Sequence, residues 1–191
     1  MQNSLNSAGL FLINTLFDLY LIILMARVIL AWAHADYYSP LTQIIVRLTK
    51  PLVDPLRRFI PTYNKIEFST LLIIVILEVL KFFLIGLLLI GLPSNVLGLF
   101  ILAFSDVIKI FLNTFFYAIL IQAILSWIQP YSPVIPMLSQ LTSPIMRPIK
   151  RIVPPVGGFD ISPIPAMIIL QLLIILLVGP LQNMGMRVAF G

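Results

Sequence analysis

Four stretches of this chain are long and apolar enough to cross a lipid bilayer, and they constrain its fold more than any other feature. A membrane-spanning helix needs about 20 predominantly apolar residues. We expect spans over about residues 8–32, 68–92, 100–127 and 161–184. The third lies in an apolar stretch over 96–127, which is longer than one straight crossing. Either its first turns lie along the interface, or the helix tilts or extends beyond the bilayer.

Composition supports a membrane protein and argues against an enzyme. Apolar residues make up 60% of the chain and charged residues only 10%, against about 45–50% and about 25% in soluble domains. There is no cysteine and only one histidine, His34, which argues against a metal site and against most acid–base chemistry. No GxSxG, HExxH, P-loop or GxGxxG motif is present. We therefore predict a non-enzymatic protein without a cofactor or metal.

Lysine and arginine indicate the orientation, because cytoplasmic loops carry an excess of them. The loop between the first two predicted spans and the loop between the last two hold eight of these residues. The opposite side holds only Arg187. We predict an inner-membrane protein with both long loops in the cytoplasm and both termini in the periplasm. The eight are Arg47, Lys50, Arg57, Arg58, Lys65, Arg147, Lys150 and Arg151.

The sequence contains an internal repeat. Residues 27–32 read RVILAW and residues 122–127 read QAILSW, 95 positions later. Residues 51–61, PLVDPLRRFIP, match residues 144–154, PIMRPIKRIVP, at an offset of 93. Of those eleven pairs, only Asp54 against Arg147 breaks the pattern.

The repeat predicts two halves, residues 1–92 and 93–191, each made of a span, a cytoplasmic segment and a span. Two spans return the chain to its starting side, so the halves have the same orientation. Their pseudo-two-fold axis should then run along the membrane normal. The predicted fold is an all-α membrane protein with four transmembrane helices from two parallel repeats.

Each cytoplasmic segment is predicted to be an amphipathic hairpin on the inner leaflet. Leu41, Ile44, Ile45 and Leu48 follow helical spacing, and Pro51 is expected to end that helix. The structural motif comprises prolines that segment both hairpins: Pro51, Pro55, Pro61, Pro144, Pro148 and Pro154. Two interpretations of the basic residues stay open: topology anchors, or recognition of anionic headgroups or a partner. The candidate binding residues are Arg47, Lys50, Arg57, Arg58, Arg147, Lys150 and Arg151.

The second hairpin ends in a motif that predicts a turn and a helix start. Gly157 and Gly158 permit a tight turn. Asp160 or Ser162 can cap the fourth span, and Pro163 suits its first turn. We expect a structural role for Asp160 rather than a catalytic one.

Polar residues within spans are costly and are candidate functional residues. The repeat aligns three charged residues of the first half with amides of the second, so these six positions are expected to face the bundle interior or the interface between halves. The intramembrane polar candidates are Asp18, Arg27, Glu78, Lys81, Asp106, Lys109, Asn113, Gln122 and Gln171.

Helical spacing and depth suggest partners for the charged residues. Glu78 and Lys81 lie one turn apart, as do Asp106 and Lys109, and Asp18 is deep enough to reach Lys81. Arg27 is close enough to the cytoplasmic end to snorkel. The charges either form closed pairs that fix helix packing or line a path for an ion or proton. Their near balance favours closed pairs.

The repeated motif resembles that of the YggT (YlmG-like) family of small bacterial membrane proteins, which includes chloroplast members. The resemblance rests on LTSPIMRPIKRIVPPVGGFDISP over 141–163 and LTKPLVDPLRRFIP over 48–61. It is close to the enterobacterial, two-repeat type of the family. The first copy departs at 62–67, where the Gly-Gly turn is replaced. The resemblance implies an inner-membrane protein without known catalysis. It also implies links to osmotic or ionic stress tolerance, or to membrane organisation in division, nucleoid distribution or cytochrome assembly.

These observations lead to two functional hypotheses. The first is a scaffold or assembly factor that binds anionic lipid and an unidentified membrane or cytoplasmic protein through its basic segments. The alternative is a small ion or solute permeation protein that contributes to osmotic balance. The basic residues are too few and too divided to favour nucleic-acid binding, and a homo-oligomer is possible.

Overall fold

The computed structural model describes residues 2–33, 39–60, 67–89, 91, 93–155 and 160–191. All regular structure in these residues is helical, and four helical segments are long and apolar enough to span a membrane. The predicted all-α membrane fold with four spans is therefore confirmed. Three features of the sequence lie outside the described residues: the predicted turn at Gly157 and Gly158, the proline at Pro61, and His34.

The helices follow one another in the order that the repeat predicts. In each half, a long apolar helix is followed by a shorter helix that carries the basic residues and then by a second apolar helix. The spans cover Asn6–Trp32, Phe68–Leu88, Val96–Ile128 and Pro163–Phe190. The helices are α1 (Gln2–Trp32), α2 (Pro40–Arg57), α3 (Phe68–Leu89), α4 (Val96–Ile128), α5 (Val134–Ile152), α6 (Pro163–Leu173) and α7 (Gly179–Phe190).

The third span is one uninterrupted helix. Asn95 caps its start, and the side chain of Asn95 accepts a hydrogen bond from the backbone N–H of Leu97 at 2.9 Å. A 33-residue helix is about 50 Å long, whereas the hydrocarbon core of a bilayer is about 30 Å thick. α4 therefore tilts or extends beyond the bilayer.

The fourth span contains a feature that the sequence did not predict. Between α6 and α7, residues Ile174–Val178 form a π-helical turn. Such insertions rotate the following residues relative to the preceding ones and often lie near functional sites. All five residues are apolar, so no proline or glycine within the turn signals it.

The prolines of the cytoplasmic segments do not divide them into hairpins, and the expectation that Pro51 ends a helix was wrong. α2 continues through Pro51 and Pro55, and α5 continues through Pro144 and Pro148. A proline inside a helix costs about 3 kcal/mol. Buried side chains lie on both sides of the first proline of each helix, and their packing offsets this cost. They are Thr49 and Val53 in α2, and Thr142 and Met146 in α5.

α4 is the central helix of the bundle. It packs against α1, α3, α5, α6 and α7, and α1 also packs against α3. The repeat symmetry is incomplete, because α3 contacts α4 but neither α6 nor α7 contacts α1 among the described residues. The second half therefore joins the first mainly through α4.

α4 and α7 approach each other closely through small residues. A Cβ atom added to Gly98 would lie 2.2 Å from the backbone N of Ala189, and Gly185 packs in the same way against Leu102. The hydroxyl of Ser94 donates to the carbonyl of Ala189 at 2.9 Å. Small residues that allow close backbone approach are a recurrent basis of helix packing in membranes.

The substitution Gly98→Ala is therefore expected to destabilise the protein. The added methyl group must push α7 away, and overpacking of this kind typically costs about 1–3 kcal/mol. Thermal unfolding of the purified protein in detergent measures the effect. Gly179→Ala is the matched control, since a Cβ at Gly179 meets nothing within 4 Å. Equal unfolding temperatures for the two variants would contradict the close approach.

Candidate functional sites: a buried charge cluster and a basic surface

Five charged side chains and one amide meet in the middle of the membrane-spanning bundle; we call them the charge cluster. Lys81 is at its centre and is only 1% exposed. The Nζ atom of Lys81 lies 3.0 Å from the Oδ1 atom of Asp18 and 2.6 Å from the Oε2 atom of Glu78, and it also contacts the carboxylate of Asp106. One ammonium group thus joins α1, α3 and α4.

Asp106 extends the charge cluster to the fourth span. Its Oδ1 atom is 3.2 Å from the Nζ atom of Lys109 and accepts a hydrogen bond from the Nε2 atom of Gln182 at 2.8 Å. Gln182 is in α7, so the charge cluster includes residues from all four spans. Sequence reasoning missed Gln182, although a polar residue within a predicted span was the available signal.

The predicted charge pairs are present in this charge cluster. Asp18 pairs with Lys81, Glu78 pairs with Lys81 and Asp106 pairs with Lys109. Their convergence on one lysine was not predicted, because helical spacing shows which residues share a face but not how three helices turn towards each other. Asn113 and Gln171, predicted to face the interior, are half-buried.

Arg27 forms a second buried polar site, at the end of the bundle where α2 and α5 lie. Its Nε atom donates to the Oε2 atom of Glu67 at 2.7 Å, and a terminal nitrogen donates to the hydroxyl of Thr49 at 2.8 Å. Thr70 also donates to Glu67, at 2.8 Å. The expectation that Arg27 snorkels towards the interface was wrong, since Arg27 is 4% exposed and the nearby Glu67 satisfies its guanidinium group.

The second half contains a modified copy of this site. Gln122 stands where the first half has Arg27, and its Oε1 atom accepts a hydrogen bond from the hydroxyl of Thr142 at 2.7 Å. Thr142 aligns with Thr49, and Asp160 aligns with Glu67, both at an offset of 93. Because glutamine replaces arginine at position 122, Asp160 pairs instead with Lys150, at 2.8 Å. Glu67 was missed as a site residue, although its alignment with Asp160 was a signal.

Asp160 connects α5 to the start of α6, where a capping role was predicted. Its side chain accepts a hydrogen bond from the backbone N–H of Ser162 at 3.0 Å, and Ser162 is followed by Pro163 in the first helical turn. Burial alone would raise the pKa of Asp160. Hydrogen bonds from Lys150 and Ser162 outweigh burial and lower the pKa below its ordinary value of 3.8.

The Lys150–Asp160 pair is expected to make stability depend on pH. Because the folded state lowers the pKa of Asp160, the pair stabilises the protein above the ordinary value of 3.8. This contribution is lost as the pH falls through the lower folded value. Wild type should unfold at a higher temperature than Asp160→Asn near neutral pH, and the difference should disappear in strong acid. Asp54→Asn, which removes an exposed pair at 4.0 Å, is the control. A difference that persists in strong acid would contradict the prediction.

α2 has three distinct faces. Thr42, Thr49 and Val53 are buried against the bundle. Ile44, Leu48 and Leu52 form an exposed apolar strip, with exposed fractions of 51%, 50% and 43%. The third face carries the exposed charges and borders a groove of about 420 Å³. The charged residues of the third face are Arg47, Lys50, Asp54 and Arg57, and Arg58 follows directly after the helix end. The exposed apolar strip, the third face and Arg58 together are called the α2 surface.

α5 carries the same types of residue, but its apolar strip is covered. Met137 and Leu141, which align with Ile44 and Leu48, are buried where α5 packs against α4. Its basic residues remain exposed: Arg147, Lys150 and Arg151. The two copies are therefore not equivalent, and only α2 exposes an apolar strip beside its charges.

No group of three or more His, Asp or Glu side chains in the described part of the chain is arranged to hold a metal ion. The acids of the charge cluster are directed towards Lys81 and Lys109. The chemistry available to this site is the binding and exchange of protons or the fixing of helix positions.

Comparison with known proteins identifies the family. The CCB3/YggT family model matches the chain twice, over residues 6–88 and 101–181. The chain belongs to the CCB3/YggT family. The two matches fall within the two halves that the repeat predicts. No solved structure matches the chain.

Relatives of similar length match across most of the chain. A protein from Pseudomonas aeruginosa is 38% identical over 183 residues, which cover 94% of this chain and 93% of the relative. A protein from Vibrio alginolyticus is 42% identical over 84% of this chain and 88% of its own length. The Escherichia coli K12 protein named YggT is 37% identical over 88% of this chain and 87% of its own length. All three are described as uncharacterised, so they support the family and not an activity.

Proposed function

We propose that this protein is a non-enzymatic scaffold or assembly factor of the bacterial inner membrane. Its basic helices would bind anionic lipid and a membrane or cytoplasmic protein at the inner leaflet. The observation that carries this proposal is the α2 surface, in which an exposed apolar strip lies beside an exposed basic face.

The arrangement of α2 suits a helix in the plane of the membrane interface. Apolar side chains on one face enter the acyl boundary while lysine and arginine on the adjacent face lie among anionic headgroups. Each basic residue near an anionic surface contributes about 1 kcal/mol of attraction. Four exposed basic residues and one acid, the half-buried Asp54, give the α2 surface a net positive charge.

The proposed orientation places α2 and α5 in the cytoplasm and both termini in the periplasm. It rests on the distribution of lysine and arginine, since the segments with α2 and α5 hold eight of them and the opposite side holds Arg187. The negative potential of the cytoplasmic leaflet would then attract the basic faces.

Neutralising the α2 surface tests the scaffold. Partner proteins are first identified by in-membrane crosslinking from position 44. In nanodiscs of anionic lipid, the variant Arg47→Gln/Lys50→Gln/Arg57→Gln/Arg58→Gln should then retain fewer of these partner proteins than wild type. It should also lose the cellular phenotype that the wild-type gene restores. The magnitude follows from the charges, because a loss of several kcal/mol of attraction lowers the affinity by at least about tenfold.

A matched variant on α5 separates a specific surface from general positive charge. Arg147→Gln/Arg151→Gln removes exposed charge but leaves the Lys150–Asp160 pair intact. It should have a smaller effect than the two-charge α2 variant Arg57→Gln/Arg58→Gln, because the apolar strip of α5 is buried. Both variants must first be shown to insert normally. Full retention of partner capture and phenotype by the α2 variant would reject the scaffold proposal.

Permeation of an ion or solute is the second candidate, and the charge cluster favours it. Ionisable residues at mid-membrane often mark ion or proton paths, and Asp18 and Lys109 have partly exposed side chains at the edge of the charge cluster. A contribution to osmotic or ionic stress tolerance would follow from such a flux.

Reconstituted protein tests permeation directly. Liposomes that contain the protein should pass K⁺, Na⁺ or H⁺ under an imposed gradient, and the variants Asp18→Asn and Glu78→Gln should reduce that flux. Asp54→Asn lies outside the spans and is the control. Flux no greater than that of empty vesicles under all three gradients would reject permeation.

A further inference from the structure

The charge cluster contains more acid than base. Asp18, Glu78 and Asp106 are opposed by only Lys81 and Lys109. If all five groups were ionised, one negative charge would remain uncompensated within the bilayer. An unpaired buried charge costs several kcal/mol, so binding a proton is the simplest way for the charge cluster to become neutral.

Glu78 is the most deeply buried acid of the charge cluster, and Lys81 is its one ionic partner among the described residues. Its side chain is fully buried, and neither of its oxygens has a hydrogen bond from any described residue, although Oε2 is in ionic contact with Lys81. Asp106, by contrast, also interacts with Lys109 and Gln182. Buried polar atoms are normally hydrogen-bonded, so Glu78 is the group for which the ionised form is least well compensated.

Asp106 provides an acceptor for a proton on Glu78. Both carboxyl groups contact the same Lys81 ammonium, so they lie next to each other around one nitrogen atom. A protonated carboxyl group is a donor as well as an acceptor. A proton would thus turn a repulsive contact between two carboxylates into a hydrogen bond.

We infer that the charge cluster is a proton-binding site in which Glu78 holds one exchangeable proton and shares it with Asp106. This site does not depend on the scaffold proposal. It would be occupied at neutral pH whether or not the protein moves ions across the membrane.

The groups around Glu78 come from three helices. α1 contributes Asp18, α3 contributes Lys81, and α4 contributes Asp106 and Lys109. α2 also packs against α3, but its basic side chains are exposed and its acid, Asp54, pairs with Lys50. Arg27 of α1 is paired with Glu67 at the start of α3. The charge balance at Glu78 is therefore set by the five ionisable members of the charge cluster.

Infrared spectroscopy of the full-length protein in lipid nanodiscs tests the site. Wild type at neutral pH should show the C=O band of a protonated carboxyl group, shifted on exchange into D₂O. The band should vanish in Glu78→Gln. It should also vanish in Asp106→Asn, because two acids then balance two lysines and Glu78 ionises. Lys109→Gln should instead strengthen the band and keep it to higher pH.

Asp54→Asn is the control and should leave the band unchanged, since Asp54 is an exposed residue of α2. Absence of the band in wild type at neutral pH would overturn the proposal, and this result needs no variant to fold. Persistence of the band in both Glu78→Gln and Asp106→Asn would also overturn it. If the band persisted in Asp106→Asn alone, Glu78 would hold its proton without Asp106. That result would contradict both the sharing of the proton and the excess of acid as the reason for its binding.

Discussion

Replacing Lys81 with methionine is expected to destabilise the protein more than any other single substitution in the bundle. Lys81 contacts the carboxylates of Asp18, Glu78 and Asp106 and is almost completely buried. Removing one partner of a buried ion pair typically costs about 3–5 kcal/mol, and here three acids lose the same partner. The yield of monodisperse protein in detergent and its thermal unfolding temperature should both fall sharply.

Lys109→Met is the matched control for Lys81→Met. The side chain of Lys109 is 32% exposed and contacts only Asp106 among the acids of the charge cluster. Asp106 keeps Lys81 and Gln182 after the change, and no other acid of the charge cluster loses a partner, so the loss should be smaller than for Lys81→Met. If both substitutions lowered the unfolding temperature equally, Lys81 would not be the centre of the charge cluster.

Replacing Arg27 with glutamine is expected to have the second-largest effect. It leaves the Glu67 carboxylate, which is 5% exposed, with a hydrogen bond from Thr70 as its one remaining side-chain partner among the described residues. The loss should be about 3–5 kcal/mol, as for other buried ion pairs that lose one partner. Chemical unfolding in mixed micelles would measure it, with Lys50→Gln as the control because Lys50 and Asp54 form an exposed pair.

The double variant Arg27→Gln/Glu67→Gln should recover much of that loss. It removes both charges and gives the first half the amide that the second half has at Gln122. The coupling between the two substitutions should be large, as expected for residues in direct contact. Additive losses, or a single-variant effect as small as that of Lys50→Gln, would contradict the role of the Arg27–Glu67 pair.

Most of the fold could be predicted from the sequence, because its signals are long and independent. Apolar runs of span length require helices in lipid, since every backbone polar group must be satisfied within the segment. The internal repeat then predicted the same order of span, cytoplasmic segment and span in both halves. The pairs Glu78–Lys81 and Asp106–Lys109 followed from helical spacing, and Asp18–Lys81 followed from depth.

The remaining features depend on tertiary packing. Proline normally breaks a helix, but α2 continues through Pro51 because Thr49 and Val53 are held against the bundle. The burial of Arg27 required Glu67, which is 40 residues away in the chain. The covered strip of α5 and the exposed strip of α2 have similar sequences, and their exposure differs because α5 packs against α4.

Labelling of single cysteines from each side of the membrane tests the central claim that both basic helices face the cytoplasm. The natural chain has no cysteine, so Lys50→Cys in α2, Arg147→Cys in α5 and Ser94→Cys before α4 each report one position. With a membrane-impermeant thiol reagent, Lys50→Cys and Arg147→Cys should react only in inverted vesicles, and Ser94→Cys only in spheroplasts. Labelling of Lys50→Cys and Arg147→Cys from the periplasmic side would contradict the account.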